Sequence, residues 1–114
     1  MIEVDILNHL KAKLDVPVFL ERPEQIEVPF VLFERTSGSG EYGLINGTFA
    51  FQSYADSKFK AIELNQRTKK AVESLIELDV ISGVHLNNDY DFTDTRRKEY
   101  RYQAVFFVNY YEEN

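Results

Sequence analysis

The sequence predicts an α+β domain with a mainly antiparallel sheet of about four to five strands and two helices packed on one face. Strand-like runs occupy residues 30–35, 48–54 and 100–111. An amphipathic helix is expected at residues 58–78, and a shorter helix at residues 2–14 opens the chain. Strands that follow one another, with helices between the pairs, are typical of α+β folds.

Length and composition limit the classes of protein to consider. The 114 residues fit a single domain, 1–114, and 44% hydrophobic residues allow a real core. The absence of cysteine excludes a disulfide framework and a thiolate metal site. A net charge of −6 argues against binding duplex DNA by neutralising its phosphates.

The chain also lacks the signals of export or membrane insertion. No apolar run reaches the roughly 18 residues of a membrane span. Glu3 and Asp5 stand where a signal peptide carries basic residues. We therefore expect a protein that acts in the cytoplasm, without a membrane partner.

The first helix and the first two strands follow from spacing and from proline. An apolar stripe at intervals of three and four residues predicts the helix at 2–14; its members are Ile2, Ile6, Leu7, Leu10 and Leu14. Pro17 places the short strand at 16–20 on a sheet edge, because proline has no N–H to donate. The nearly continuous apolar run at 29–35 predicts a strand that is buried on both faces, or one with one face in the core and the other in an assembly.

Residues 36–47 contain four of the five glycines, and Asn46-Gly47 is a turn signal. We predict a mobile twelve-residue loop here, joining two antiparallel strands. The loop still holds Tyr42, Leu44 and Ile45. Apolar residues in an otherwise polar loop indicate a contact outside the domain.

The central unit, residues 48–78, is a strand followed by a helix. Phe49 and Phe51 share one face of the strand, and Asp56 or Ser57 caps the helix. The predicted buried face of the helix consists of Ala61, Leu64, Thr68, Ala71, Val72, Leu75 and Leu78. Phe59 lies off this stripe, which suggests a contact with the helix end or a neighbour.

Toward the C-terminus, Ser82-Gly83 is expected to break the chain before a strand at 84–86. Residues 87–89 read as a turn, and residues 100–111 as a long central strand. Tyrosines concentrate in this part of the chain. Tyrosine is common at protein interfaces, because it combines an apolar ring with a polar hydroxyl group. Tyr110 and Tyr111 are therefore candidate interface residues.

We find no pattern that predicts catalysis, a cofactor or a metal site, and we predict that the protein is not an enzyme. His9 and His85 have no partner in a catalytic arrangement. Asp89, Asp91 and Asp94 lack the glycine bend and distal Glu of a calcium loop. The glycine-rich stretch lacks the lysine and the helix of a phosphate-binding loop.

The central unit resembles a known family. A strand, the segment Gln52-Ser53-Tyr54-Ala55-Asp56-Ser57, and a helix carrying Ala61-Ile62-Glu63-Leu64 and Ala71-Val72-Glu73-Ser74-Leu75 resemble the tail-completion proteins of long-tailed bacteriophages. These are also called tail terminator or head–tail joining proteins. The likeness is one of element order and size, and it spans nearly the whole chain.

This resemblance implies a structural role. Such proteins form rings, typically hexamers, that cap the tail tube, end its growth and join the tail to the head. The implied partners are further copies of the chain, the major tail tube protein and a head-completion protein. The implied locations are the bacterial cytoplasm during assembly and then the head–tail junction of the virion. DNA would pass through the ring without specific binding, since an acidic lining repels phosphate.

A closed ring needs heterologous contacts, in which one patch of a subunit meets a different patch of the next. We predict that the glycine-rich segment supplies one patch, with additional aromatics beside it. The candidate residues are Ser37, Gly38, Ser39, Gly40, Glu41, Tyr42, Gly43, Leu44 and Ile45, with Phe59, Tyr110 and Tyr111.

Three other classes stay open. The first is a different phage assembly subunit, such as a head-completion or tail-tube protein. The second is a small host protein-binding module or antitoxin-like regulator, which would copurify with a cellular partner. The third is an enzyme, which would need a pocket with convergent polar groups.

Overall fold

The computed structural model describes residues 1–112. The elements in chain order are α1 (Ile2–Lys13), β1 (Val18–Phe19), β2 (Phe30–Glu41), β3 (Leu44–Ala55), α2 (Lys58–Glu73), a 3-10 turn (Ser74–Glu77), β4 (Ile81–Asp91) and β5 (Tyr100–Tyr111).

The strands form one five-stranded sheet in the order β1-β2-β3-β5-β4. Only the β1–β2 pair is parallel; the other neighbours are antiparallel. The predicted α+β class is confirmed. So are the antiparallel pairing of residues 30–35 with 48–54, the interior position of β5 and the edge position of the short β1 strand.

One hydrophobic core joins α1 and α2 to the sheet. Ile2, Ile6 and Leu10 of α1 share it with the buried face of α2. On the sheet side the core is aromatic: the Phe33 ring stacks on Phe51, with centroids 5.3 Å apart. We call this covered side of the sheet the helix face and the opposite side the open face.

Ser57 is the residue that caps α2. Its hydroxyl accepts a hydrogen bond from the Lys60 N–H at 3.2 Å, and its backbone is extended. This geometry satisfies one of the N–H groups left free at a helix start. The predicted buried positions from Ala61 to Leu75 are confirmed.

The end of this helix differs from the prediction. α2 stops at Glu73, and residues 74–77 form a 3-10 turn instead of a last α-helical turn. The Ser74 hydroxyl donates to the Ala71 carbonyl at 2.7 Å. Serine side chains that bond to the backbone in this way compete with regular helical hydrogen bonding.

The prediction of a loop at residues 36–47 is wrong, because β2 and β3 continue through it as a hairpin. Only Tyr42 and Gly43 lie in the turn, with φ of 55° and 81°. Positive φ at both central residues is the signature of the tight turn that matches strand twist. The predicted Asn46-Gly47 turn is also wrong: Gly47 pairs with Gly38 on β2 and with Val108 on β5. β5 extends far enough to hold this segment in the sheet.

The predicted break at Ser82-Gly83 and turn at residues 87–89 are likewise wrong. Both segments belong to β4, whose pairing with β5 shifts register between Ile81 and Gly83 and between Leu86 and Asn88. Such bulges accept an extra residue without ending the strand. The chain reverses later, beyond an isolated bridge between Asp94 and Glu99.

Candidate subunit interface

The outer edge of β2 is bare along most of its length. β1 pairs only with Val31 and Leu32, so no strand lies beside β2 from Phe33 to Glu41. Residues 34–41 are all exposed. An unpaired edge presents a row of N–H and C=O groups that another strand can bind.

The direction of these backbone groups follows from one hydrogen bond. The Val31 N–H donates to the Pro17 carbonyl at 2.9 Å, away from β3. Because antiparallel residues alternate in direction, Phe33 and Arg35 also point outward. The register shifts at the bulge between Arg35 and Ser37, and beyond it Gly38 and Gly40 point outward.

Two glycines on this edge have different roles. A Cβ on Gly40 would overlap the Leu44 carbonyl oxygen and lie 2.8 Å from the Ile45 Cα. Gly40 is therefore required by the close approach of β3. A Cβ on Gly38 would meet nothing nearer than the Arg35 guanidinium at 3.5 Å. Gly38 instead leaves the edge backbone open.

The hairpin tip carries the exposed apolar residues. Tyr42 is 100% exposed and Leu44 is 39% exposed. Leu44 pairs with Tyr111 of β5, whose side chain is 56% exposed. The structure thus brings three of the predicted interface residues together at one end of the sheet. Ile45, also predicted, is half-buried against the core.

Tyr110 is not on this surface, so its prediction as an interface residue is wrong. Its side chain is fully buried, and its hydroxyl accepts a hydrogen bond from Arg35 Nη1 at 2.9 Å. Its ring meets Phe49 edge-on at 6.4 Å. Alternation along β5 turns Tyr110 into the core and Tyr111 out of it.

Phe59 is 74% exposed, as the interface prediction requires. It lies in the first turn of α2, on a different element from the hairpin tip. The structure gives it no aromatic or hydrogen-bonded partner among the described residues.

A chain of side-chain hydrogen bonds crosses the open face, and no pattern in the sequence predicts it. Arg101 donates to the Tyr54 hydroxyl at 3.0 Å, and Tyr54 donates to Gln52 Oε1 at 3.0 Å. Gln52 then donates to Gln103 Oε1 at 2.8 Å. Gln103 in turn donates to the Tyr90 hydroxyl. We call this the polar ladder; it ties β3, β5 and β4 together.

A cationic–aromatic cluster closes one end of the open face. The Arg22 guanidinium lies 5.3 Å from the centroid of Tyr54 and 5.7 Å from that of Phe30. It also pairs with Glu99 at 2.7 Å, and this hydrogen bond raises the Arg22 pKa. The residues 21–25 read only as a loop in the sequence. Arg22 of this loop nevertheless contacts two aromatic rings of the sheet.

The histidine most involved in contacts is His9. Its Nε2 lies 2.7 Å from the Ser74 hydroxyl oxygen. Since Ser74 donates its own proton to Ala71, His9 is the donor in this contact. Burial lowers the pKa of His9, and the nearby Lys13 lowers it further.

The acidic residues near the end of β4 each have their own protein partner. Asp89 accepts from Lys69 and from Asn65, both at 2.8 Å, and the Lys69 contact lowers its pKa. Asp91 pairs with Lys58 at 3.4 Å. Within residues 1–112, no group of three or more His, Asp or Glu side chains has the arrangement of a metal site.

No family model matches this sequence, and a comparison with curated proteins gives no match either. Within the described part of the chain, no helix combines the length and apolar character needed to cross a membrane.

Proposed function

We propose that this protein is a structural component of long-tailed phages that forms a ring, a hexamer, on the tail tube. It ends tube growth and joins the tail to the head. The observation that supports this most is the β2–β3 hairpin. It carries a bare strand edge and an exposed apolar tip on a sheet held rigid by a shared core.

The hairpin surface suits contacts between protein subunits. Tyr42 and Leu44 at its tip combine apolar area with little flexibility, since a two-residue turn holds them. Burial of these two side chains would stabilise an interface by about 25 cal/mol per Å² of apolar area. The tip is therefore placed to contact a neighbouring subunit or the tube beneath the ring.

Charge fits the same role. With a net charge of −6 per subunit, the ring would repel the phosphates of the DNA, which would pass through the lumen without being bound. The partners of the proposal are the chain itself, the major tail tube protein and a head-completion protein.

Tail length is the direct test. Purified protein is added to tube protein during polymerisation, and tube lengths are measured by electron microscopy. We expect shorter tubes with a ring at one end. Self-polymerisation of the protein into tubes would instead identify a tube subunit. Unchanged tube length would contradict termination.

A matched pair of variants locates the contact. Tyr42→Ser with Leu44→Ser should weaken termination at least tenfold, because the apolar tip is lost. Ile76→Ser removes an apolar side chain that is 53% exposed on the 3-10 turn and should leave termination intact. If both variants end tube growth equally well, the hairpin tip takes no part in termination.

A further inference from the structure

We propose that neighbouring copies join edge to edge, with β4 of one copy adding to the bare edge of β2 in the next. The sheet would then continue from subunit to subunit. This inference rests on the proposed function for the ring itself. It goes beyond it by naming the two strands, their direction and their register.

The two strands are the free ends of one sheet. β4 is its last strand, and β2 beyond Leu32 is uncovered on the other side. β2 and β5 run in one direction, and β3 and β4 in the opposite one. Two copies placed side by side in the same orientation therefore present β2 and β4 as an antiparallel pair.

The register can be counted across the sheet. Gly38 pairs with Gly47, Gly47 with Val108, and Val108 with Val84. Copies at equal height would consequently set Gly38 of one opposite Val84 of the next. On the same count, Arg35 would face Leu86, and the pairing would end before Tyr90, because β1 already occupies the edge at Leu32.

The backbone groups of this pair point toward each other. The Tyr111 N–H donates to the Val80 carbonyl at 2.8 Å, so alternate residues of β5 point to β4. On β4, the residues paired with them are Gly83 and His85, whose own N–H and C=O groups point toward β5. Val84 and Leu86 then point outward, as Gly38 and Arg35 do on β2. Two rows of free groups would satisfy each other.

Charge favours this partner over a second β2 strand. Arg35 is a cation beside the bare part of β2, with its side chain 38% exposed. On β4 it would face the uncharged Leu86, and the next carboxylate on that face, Asp89, is paired with Lys69 of its own copy, so no like charge would oppose Arg35. Counting the extra residue of the bulge between Arg35 and Ser37, a β2–β2 pair centred on Gly38 would instead set Glu34 across from Glu41, and like charges directly opposite are destabilising.

Space is available on both sides of the accepting strand. A depression of about 460 Å³ is lined by Arg35, Ile45 and residues 36–40. A second, of about 430 Å³, lies beside Ser37, Gly38 and Phe107. Strand addition uses main-chain hydrogen bonds for affinity and such depressions for alternate side chains.

Cysteine cross-linking tests the pair, because the native chain has no cysteine. Gly38→Cys and Val84→Cys are made as separate proteins and oxidised alone and mixed, in solution and on tail tubes. Facing residues of such a pair have Cα atoms about 5.5 Å apart, which a disulfide spans. We expect a covalent dimer only in the mixture.

The control is His85→Cys, one residue along β4 and on the other face. Mixed with Gly38→Cys it should link at least tenfold less. A dimer from Gly38→Cys alone would mean β2–β2 pairing and overturn the inference. Absence of a link in the Gly38–Val84 mixture, in both settings, would also overturn it.

A second pair of variants keeps the test independent of cysteine. Gly38→Pro removes the outward N–H and should lower the number of copies that assemble on tail tubes, counted by electron microscopy, at least tenfold, whereas Gly38→Ala keeps the N–H and should not. Termination without any β2–β4 link would refute the pairing and leave the proposed function standing. A specific link without termination would refute the function and leave the pairing standing.

Discussion

Gln52 and Gln103 face each other across β3 and β5, and the Gln52 amide donates to the Gln103 carbonyl oxygen at 2.8 Å. Gln103 is 9% exposed, so its polar groups depend on protein partners. The pair is the middle of the polar ladder. It joins two central strands on the face that no helix covers.

The two glutamines should be energetically coupled. Gln103→Met leaves the half-buried Gln52 amide without its acceptor, and we expect a loss of about 1 kcal/mol in the free energy of unfolding. Gln52→Met should behave similarly. The double variant should lose less than the sum, because neither glutamine then remains without the other as its partner. Urea unfolding of the four proteins measures this; strict additivity would deny the coupling.

Gly40→Ala should destabilise the hairpin, whereas Gly38→Ala should not. The new methyl at Gly40 overlaps the β3 backbone, and we expect a cost of about 1–3 kcal/mol. The methyl at Gly38 has ordinary contacts. Thermal or urea unfolding compares them. Equal stability of the two variants would show that β2 and β3 lie farther apart at Gly40 than the structure has them.

The helix cap gives a third contrast. Ser57→Ala removes the hydroxyl that accepts from the Lys60 N–H, with an expected loss of about 1 kcal/mol. Asp56→Ala removes only an exposed ion pair with Lys60. We expect it to lower the free energy of unfolding by roughly 0.2–1 kcal/mol. Denaturant midpoints distinguish them. A larger effect at Asp56 would reassign the cap.

Stability should fall as pH is lowered through about 6.5, in part because of His9. Its pKa is lowered in the folded protein, by burial first and by Lys13 second. The unfolded chain then binds the proton more readily, so acid favours unfolding. His9→Asn should flatten this part of the pH profile of the free energy of unfolding. An unchanged slope near pH 6 in His9→Asn would contradict this assignment.

The length of the β2–β3 hairpin is a feature that the sequence does not predict. Four glycines and Asn46-Gly47 indicate a loop when only neighbours along the chain are considered. The segment becomes strand because β5 reaches Tyr111 and supplies hydrogen-bonding partners on one side. Pairing of that kind joins residues more than sixty positions apart, and local composition does not record it.

Tyr110 and Tyr111 make the same point for the candidate surface. Both are aromatic and adjacent, and both were predicted to be exposed at an interface. Because strand side chains alternate, one residue of register decides which ring enters the core. The alternation is visible in the sequence, but the sequence does not show which of the two faces the helices cover at this end of β5.

The sequence by itself determined the α+β class, the presence of both helices, a helix cap at Asp56 or Ser57 and the alternation of faces along β3 and β5. These depend on periodicity and capping, which act within one or two turns of chain. The tertiary structure decided the extent of the hairpin, the continuity of β4 and the polar ladder. It also decided which edge of the sheet stays bare. Those features depend on which distant strand supplies each hydrogen bond, and only the assembled sheet specifies that.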